Sequence, residues 1–156
     1  MTAEDPIARR AARVIVVDPA GRVLLLRGCD VRTPEDRYWV TVGGGLDDGE
    51  SPAAAAAREL FEETGLRLSA AALGEPVWQE VVEFPFDGRW YRQEQDYFFV
   101  RAPAWEVDFS RLTTDEHTVI DAHRWWTRDA LAATTETYYP RELPELLSRL
   151  LGAEVP

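Results

Sequence analysis

Three glutamates, Glu59, Glu62 and Glu63, stand at positions i, i+3 and i+4, so a helix through them projects all three carboxylates from one face. Unpaired, they repel, at a cost to an isolated helix of about 0.2 to 0.5 kcal/mol per pair. The arrangement makes chemical sense when a cation fills the gap. Magnesium, which prefers six oxygens in near-octahedral geometry, suits a site of one or two carboxylates completed by phosphate and water. An ion held there can polarise a phosphorus centre, offset charge on a leaving phosphate and lower the pKa of an attacking water. The plainer account is an alanine-rich surface helix with Leu60 in the core and Glu62 and Glu63 merely solvated.

The elements that must position these residues are legible around them. Ser51 supplies an N-cap, Pro52 takes the first helical position, five alanines carry the helix, and Gly65 stops it. The carboxylates therefore fall on its last turns. Before it, a short strand at 38–42 delivers the chain into Gly43, Gly44 and Gly45, which allow close approach of a ligand. Two apolar, β-branched runs at 14–18 and 23–27 flank Pro19-Ala20-Gly21 and read as a first hairpin. A second, aromatic hairpin pairs Trp78–Phe86 with 90–100 across Asp87-Gly88. The 103–118 stretch reads as an irregular acidic loop, 123–126 as a short last strand, Arg128–Ala133 as a helix, and 140–151 as an amphipathic helix with leucines at 143, 146, 147 and 150. Strands, a helix, more strands and terminal helices suggest an α/β fold in which a mixed sheet is covered by helices.

At 156 residues the chain fits a single domain, 1–156. No run approaches the eighteen or so apolar residues of a membrane span, and residues 1–13 carry acids and arginines where a signal peptide has its apolar block. The chain is expected to be cytoplasmic, with no membrane partner. One cysteine, Cys29, excludes an internal disulfide framework and a cysteine-based zinc site. A net charge of −11 disfavours nucleic acid as a partner, since phosphate contacts need clustered lysine and arginine, whereas a small phosphorylated substrate needs only local cations or bound metal.

The stretch 44–66, GGLDDGESPAAAAARELFEETGL, fixes Gly44, Glu50, Arg58, Glu59, Leu60, Glu62, Glu63, Gly65 and Leu66 on one ladder. It resembles the box of the Nudix hydrolases without a substitution. The resemblance implies an α/β/α sandwich with a mixed central sheet. It implies that Glu59, Glu62 and Glu63, with the main-chain carbonyl of Gly43, hold Mg2+, with Mn2+ as a substitute. Glu50 and Arg58 are implied as an ion pair that fixes the loop onto the helix, and Gly44 and Gly65 as supporting positions. The water-activating group is either a box glutamate or an acid on a loop before the last core strand. Glu116 is the candidate there, with Asp115 and Asp121 behind it. Arg27, Arg37 and Arg92 are candidate phosphate clamps, and Tyr38, Trp125 and Tyr139 are candidates to line a nucleotide site. His117 and His123 lack partners at metal spacing and read as structural or surface residues.

The implied activity is a Mg-dependent pyrophosphohydrolase (MutT-like) acting on a nucleoside diphosphate linked to another group, with a nucleoside triphosphate as the leading substrate. ADP-ribose, dinucleoside polyphosphates and nucleotide sugars are the alternatives, as is a binding module without turnover. A related isomerase would need a catalytic cysteine and histidines in the sheet, which Cys29 and the late histidines do not supply. A homodimer is common in the family, and the hairpin 78–100 is its candidate interface.

Overall fold

The computed structural model describes residues 5–152, so part of the stretch weighed against a signal peptide lies outside the described residues. Twelve elements follow in order: β1 (Ile7–Val17), β2 (Val23–Gly28), β3 (Tyr38–Gly45), α1 (Pro52–Thr64), α2 (Ala70–Leu73), β4 (Trp78–Phe86), β5 (Arg89–Arg101), α3 (Thr114–Val119), β6 (Ile120–Trp126), α4 (Arg128–Ala133), β7 (Tyr138–Tyr139) and α5 (Leu143–Gly152). They build one mixed sheet with helices on both faces, the α/β/α arrangement expected. None of the described helices is long and apolar enough to cross a membrane.

β1 is the spine. It runs parallel to β5 from Ile7 opposite Tyr91 to Val17 opposite Arg101, and β4 pairs antiparallel on the far side of β5. β1 and β2 form a hairpin only at its mouth, where Val17 faces Val23, and this corrects the simple hairpin expected there. β3 spans the divergence. Its first half pairs with β2, from Thr41 opposite Leu25 to Tyr38 opposite Gly28, and its second half pairs with β1, with Val42 to Gly45 opposite Val14 to Ala11. The strand thus runs on through the three glycines instead of stopping at Val42.

Side chains alternate across these strands, and both faces are covered, so the inner strands read as unbroken apolar runs. On one face Val14, Val16, Leu24, Leu26, Val42 and Phe98 pack beneath Ala55, Ala56 and Leu60 of α1. On the other, Ile15, Val17, Leu25, Trp39, Tyr97 and Trp126 meet Leu131 of α4 and Leu143, Leu146 and Leu147 of α5. The two tryptophans of β6 divide by this alternation: Trp126 is sealed in the second cluster, and Trp125 packs edge-on against Trp105 over the first. Asp87 and Gly88 both take positive φ, 51° and 78°, as the tight turn between β4 and β5 requires.

Two stretches depart from expectation. The 103–118 segment is not wholly irregular, because it ends in α3, which Thr113 and Glu116 initiate through a reciprocal capping box. A two-residue strand, β7, adds to the edge of β3, with Tyr138 opposite Trp39. It is too short to show a period.

Candidate active site

α1 begins as its sequence dictates. Ser51 Oγ accepts from the Ala54 N–H at 3.1 Å, and the helix closes at Gly65, whose φ of 80° lets its N–H reach the Phe61 carbonyl. Its inward face is set by Ala55, Ala56, Leu60 and Thr64, and that face carries Glu59 and Glu63 down with it, to 8% and 5% exposure. Glu62 lies to one side of this arc and its side chain stays 41% exposed.

Each acid is then held by a different neighbour. Glu63 Oε1 accepts from the Gly43 N–H at 2.8 Å. Glu59 Oε1 and Glu62 Oε1 each accept from Arg58 Nη1 at 3.1 Å. Arg58 is the hub: its Nε and Nη2 also grip Glu50 at 2.8 and 2.9 Å, and Nη2 reaches the Gly45 carbonyl at 3.0 Å. Glu50 in turn accepts from the Asp47 N–H at 2.9 Å, which closes the loop before α1. The Arg58 bonds push the Glu50 carboxyl below its ordinary range, and those to Glu50 push the guanidinium up.

Glu116 arrives from α3. The Trp105 Nε1–H and the Asp108 N–H both donate at 3.0 Å to the Thr64 carbonyl, one of the orphan carbonyls at the end of α1. That fastening brings the following segment back over the helix. Glu59, Glu63 and Glu116 each offer a carboxylate oxygen, all within 4.8 Å of one another. Burial raises the proton affinity of Glu59, against the pull of Arg58, and raises that of Glu63 well above the usual carboxylate range, with Glu59 adding to it. Three carboxylate oxygens clustered this closely fit a hard divalent cation. Glu62 stands outside this trio, on Arg58.

The Gly43 carbonyl faces another partner, Arg13. Its Nη1 donates to Thr41 O at 3.0 Å and to Gly43 O at 3.3 Å, and its Nε donates to Gln95 Oε1 at 3.2 Å. Gln95 Nε2 and the Tyr97 hydroxyl both donate to Glu80 Oε2, at 2.9 and 2.8 Å. Sequence reasoning passed over Arg13. The signal was a charge on the inward side of β1's alternation, between Ala11 and Ile15.

The other sequence candidates make their contacts with residues outside the trio. Arg27 and Arg37 both bind Asp121, at 2.9 and 3.0 Å, which holds the Asp121 carboxyl below its ordinary value and occupies it. Arg92 pairs with Glu83 at 3.2 Å, opposite Ala8, five positions along β1 from Arg13. Tyr38 and Tyr139 meet edge to face at 5.7 Å, with Tyr139 half exposed. Trp125 is partly buried against the first core cluster, and Asp115 is exposed on α3. His117 is exposed, and His123 packs edge-on against Phe109.

Arg58 satisfies five acceptor atoms, and a lysine has three donors to offer. Arg58→Lys is therefore expected to leave the chain folded while lowering kcat by about 10- to 100-fold, the usual effect of losing a group that orients metal ligands. Steady-state kinetics beside a thermal melt check this, and unchanged kcat would remove Arg58 from the site.

Comparison with known proteins agrees with this geometry. The chain is 30% identical over 169 residues to the RNA pyrophosphohydrolase of Rhodospirillum rubrum, covering 100% of this chain and 98% of that one. Its fold superposes on the MutT protein of Methanosarcina mazei Go1 with a TM-score of 0.72 at 20% identity, over 96% of this chain and 99% of that one. It superposes on the E. coli dihydroneopterin triphosphate pyrophosphohydrolase with a TM-score of 0.63 at 20% identity, over 94% and 99%. The first of these names is partly at odds with the expectation, drawn from net charge, that nucleic acid is disfavoured as a partner. The family model for the NUDIX domain matches residues 8–147, which take in β1, the glycine-bearing strand, the carboxylate helix and α3, and the chain belongs to the Nudix family.

Proposed function

We propose that this chain hydrolyses a phosphoric anhydride bond of a nucleoside 5′-triphosphate group, whether of a free nucleotide or of an RNA 5′ end, with Mg2+ held by Glu59 and Glu63 beside Glu116. The observation that carries the reading is the convergence of those three carboxylates, each anchored through one oxygen: Glu59 on Arg58, Glu63 on the Gly43 N–H, Glu116 on the Thr113 N–H at 2.8 Å. The second oxygen of each is then available to a cation or a water. The ion supplies charge neutralisation at phosphorus and at the leaving phosphate, and it acidifies water. The chain's own contribution is a rigid frame. The Arg58 to Glu50 pair holds the loop against the helix, and Gly43 admits the Glu63 carboxylate against its N–H.

Glu116 is the partly exposed member of the trio, so it is the one a water can reach from solvent, and we assign it proton acceptance from the attacking water. Glu116→Gln keeps the oxygen that caps α3 and removes the base. The expected result is a fall in kcat of roughly 10²- to 10⁴-fold with KM little changed. The experiment is turnover of nucleoside triphosphates, triphosphorylated RNA, ADP-ribose, dinucleoside polyphosphates and nucleotide sugars with Mg2+, on the parent and on Glu116→Gln. Turnover confined to a class without a triphosphate group would refute the substrate reading, and full activity in the variant would refute the role of Glu116.

RNA is included among the substrates to be tested because relatives aligned over nearly their whole length carry the name RNA pyrophosphohydrolase. The net charge of −11 weighs towards the free nucleotide.

A further inference from the structure

α3, which carries Glu116, is six residues long and buries none of them. A helix this short does not hold itself together in water, so what fixes Glu116 must lie at its two ends. Downstream, the Cys29 N–H donates to the Val119 carbonyl at 3.0 Å, and Ile120 pairs opposite Gly28 at the end of β2. Upstream, Leu112 is buried, and the chain before it is fastened to α1. The two ends are thus tied to different bodies, and it is the upstream one that is tied to the helix bearing Glu59 and Glu63.

That upstream tie has two parts. Thr64, the residue after Glu63, offers its carbonyl to the Trp105 indole N–H and to the Asp108 N–H, both at 3.0 Å. The Trp105 ring is itself fixed edge-on against Trp125, with centroids 5.4 Å apart. Gly65 keeps the approach open, since a Cβ there would stand 3.2 Å from the Asp108 Cβ. Further along, Arg111 lays its guanidinium over the Phe61 ring of α1, its Cζ 4.4 Å from the centroid, while its Nη1 donates to Asp108 Oδ2 at 3.2 Å. The Arg111 side chain is 42% exposed, so its stacking adds little to the core; what it holds down is the last turn of chain before α3. Arg67 stacks on the same ring, with Cζ at 4.0 Å, but it belongs to the chain leaving α1 and not to the segment that leads to Glu116.

We propose that Trp105 and Arg111 are positioning residues of the reaction: they tie the segment before α3 to the same end of α1 that carries Glu63, and so hold Glu116 in register with Glu59 and Glu63. This rests on the assignment of proton acceptance to Glu116 made above.

The test measures kcat and KM, on a triphosphate that the parent turns over, for Trp105→Phe, Arg111→Ala, Arg111→Lys and Arg67→Ala, each alone and in the Glu116→Gln background. Trp105→Phe keeps a ring against Trp125 and drops the donor. Trp105→Phe and Arg111→Ala are each expected to lower kcat by about tenfold with KM little changed, because a misplaced reacting group acts on the chemical step. Arg111→Lys keeps a cation over the ring and should recover part of the loss. Arg67→Ala should match the parent. In the Glu116→Gln background the same changes should lower kcat no further, since residues that act through one group are not additive. A merely structural role would subtract alike in both backgrounds. Hydrogen exchange at the Asp108 amide reads the tie without turnover, and it should quicken in Trp105→Phe and Arg111→Ala. Unchanged kcat in those two variants, whether or not the amide exchanges faster, would overturn the positioning and leave the hydrolase reading intact. So would equal losses in the two backgrounds, or a loss in Arg67→Ala as large as in Arg111→Ala. Full activity in Glu116→Gln alone would overturn the role of Glu116 and the positioning with it, and a parent inactive on every triphosphate would overturn the hydrolase reading as well.

Discussion

Glu63→Gln is expected to lower turnover steeply and, in the absence of metal, to stabilise the fold. Glu63 is 5% exposed, and burial first, then the neighbouring Glu59 charge, raises its proton affinity well above the ordinary carboxylate value of 4.5. A carboxyl whose folded pKa lies above its unfolded one contributes stability that is fully present below the unfolded value and is lost as pH rises through the folded value. Each unit of that elevation amounts to about 1.4 kcal/mol lost by neutral pH. Glutamine carries no charge to desolvate and can still accept from the Gly43 N–H. In a chelator at pH 7 the variant should therefore melt higher than the parent, and the difference should close as the pH falls towards 4.5. Glu50 acts in the opposite sense: the hydrogen bonds from Arg58 lower its pKa, so its contribution is lost on acidification below the ordinary value. Adding Mg2+ should raise the melting temperature of the parent and not of the variant, since a ligand of the native state stabilises by mass action. The variant's kcat should fall by roughly 10²- to 10⁴-fold. A variant that melts below the parent at every pH without metal, or that gains as much from Mg2+, would show that the Glu63 charge is not held at a cost for the sake of a cation.

How much of this was legible beforehand divides along local and non-local lines. Ser51, Pro52 and Gly65 bounded α1, and Asp87-Gly88 placed the second hairpin, because caps and tight turns are decided within four or five residues. α3 could have been read from the same kind of signal, since Thr113 and Glu116 stand at capping-box spacing, but none of its residues is buried and so no apolar period marks it. The separation of Glu62 from Glu59 and Glu63 was not legible. Spacing puts the three acids on one side of a helix, while the direction that helix turns to the sheet is settled by Ala55, Ala56 and Leu60 against strands far away in sequence. The fate of the candidate arginines is non-local too: Arg27 and Arg37 are held by Asp121, some ninety residues on, across the β2 to β6 pairing. Arg13 becomes relevant only because β3 continues through its glycines to lie against β1, a pairing that glycine propensity argues against and the register of the sheet imposes.

Those glycines separate fold from chemistry, and alanine at two adjacent positions should fail in two different ways. Gly43 has a φ of +145°, and a Cβ built there meets the Ala12 carbonyl oxygen at 2.2 Å and Arg13 Cα at 2.7 Å. Both obstacles are backbone of the neighbouring strand, so nothing can swing aside; β1 and β3 would have to part at the spine of the sheet. Backbone strain and overpacking together are expected to cost roughly 2 to 5 kcal/mol, with a matching fall in melting temperature of about 2 to 4 °C per kcal/mol for a chain of this size. At Gly44 the backbone is not in the positive-φ region, and the Cβ meets Glu59 Oε1 at 2.7 Å and its carboxyl carbon at 2.8 Å. The obstacle here is the end of a side chain, and it can move. Gly44→Ala should therefore melt within a degree or two of the parent while its Glu59 carboxylate is driven off the position it shares with Glu63 and Glu116. A displaced ligand of this kind is expected to lower kcat and metal affinity by about 10- to 100-fold. Thermal melts, kinetics and a metal titration on the two variants decide the matter. A stable Gly43→Ala protein would mean that the register of β3 on β1 is not what the packing requires. A fully active Gly44→Ala protein would mean that the position of Glu59 does not matter to the reaction. Gly44 is then the position where the absence of a side chain serves the chemistry, and Gly43 the one where it serves the sheet that holds the chemistry in place.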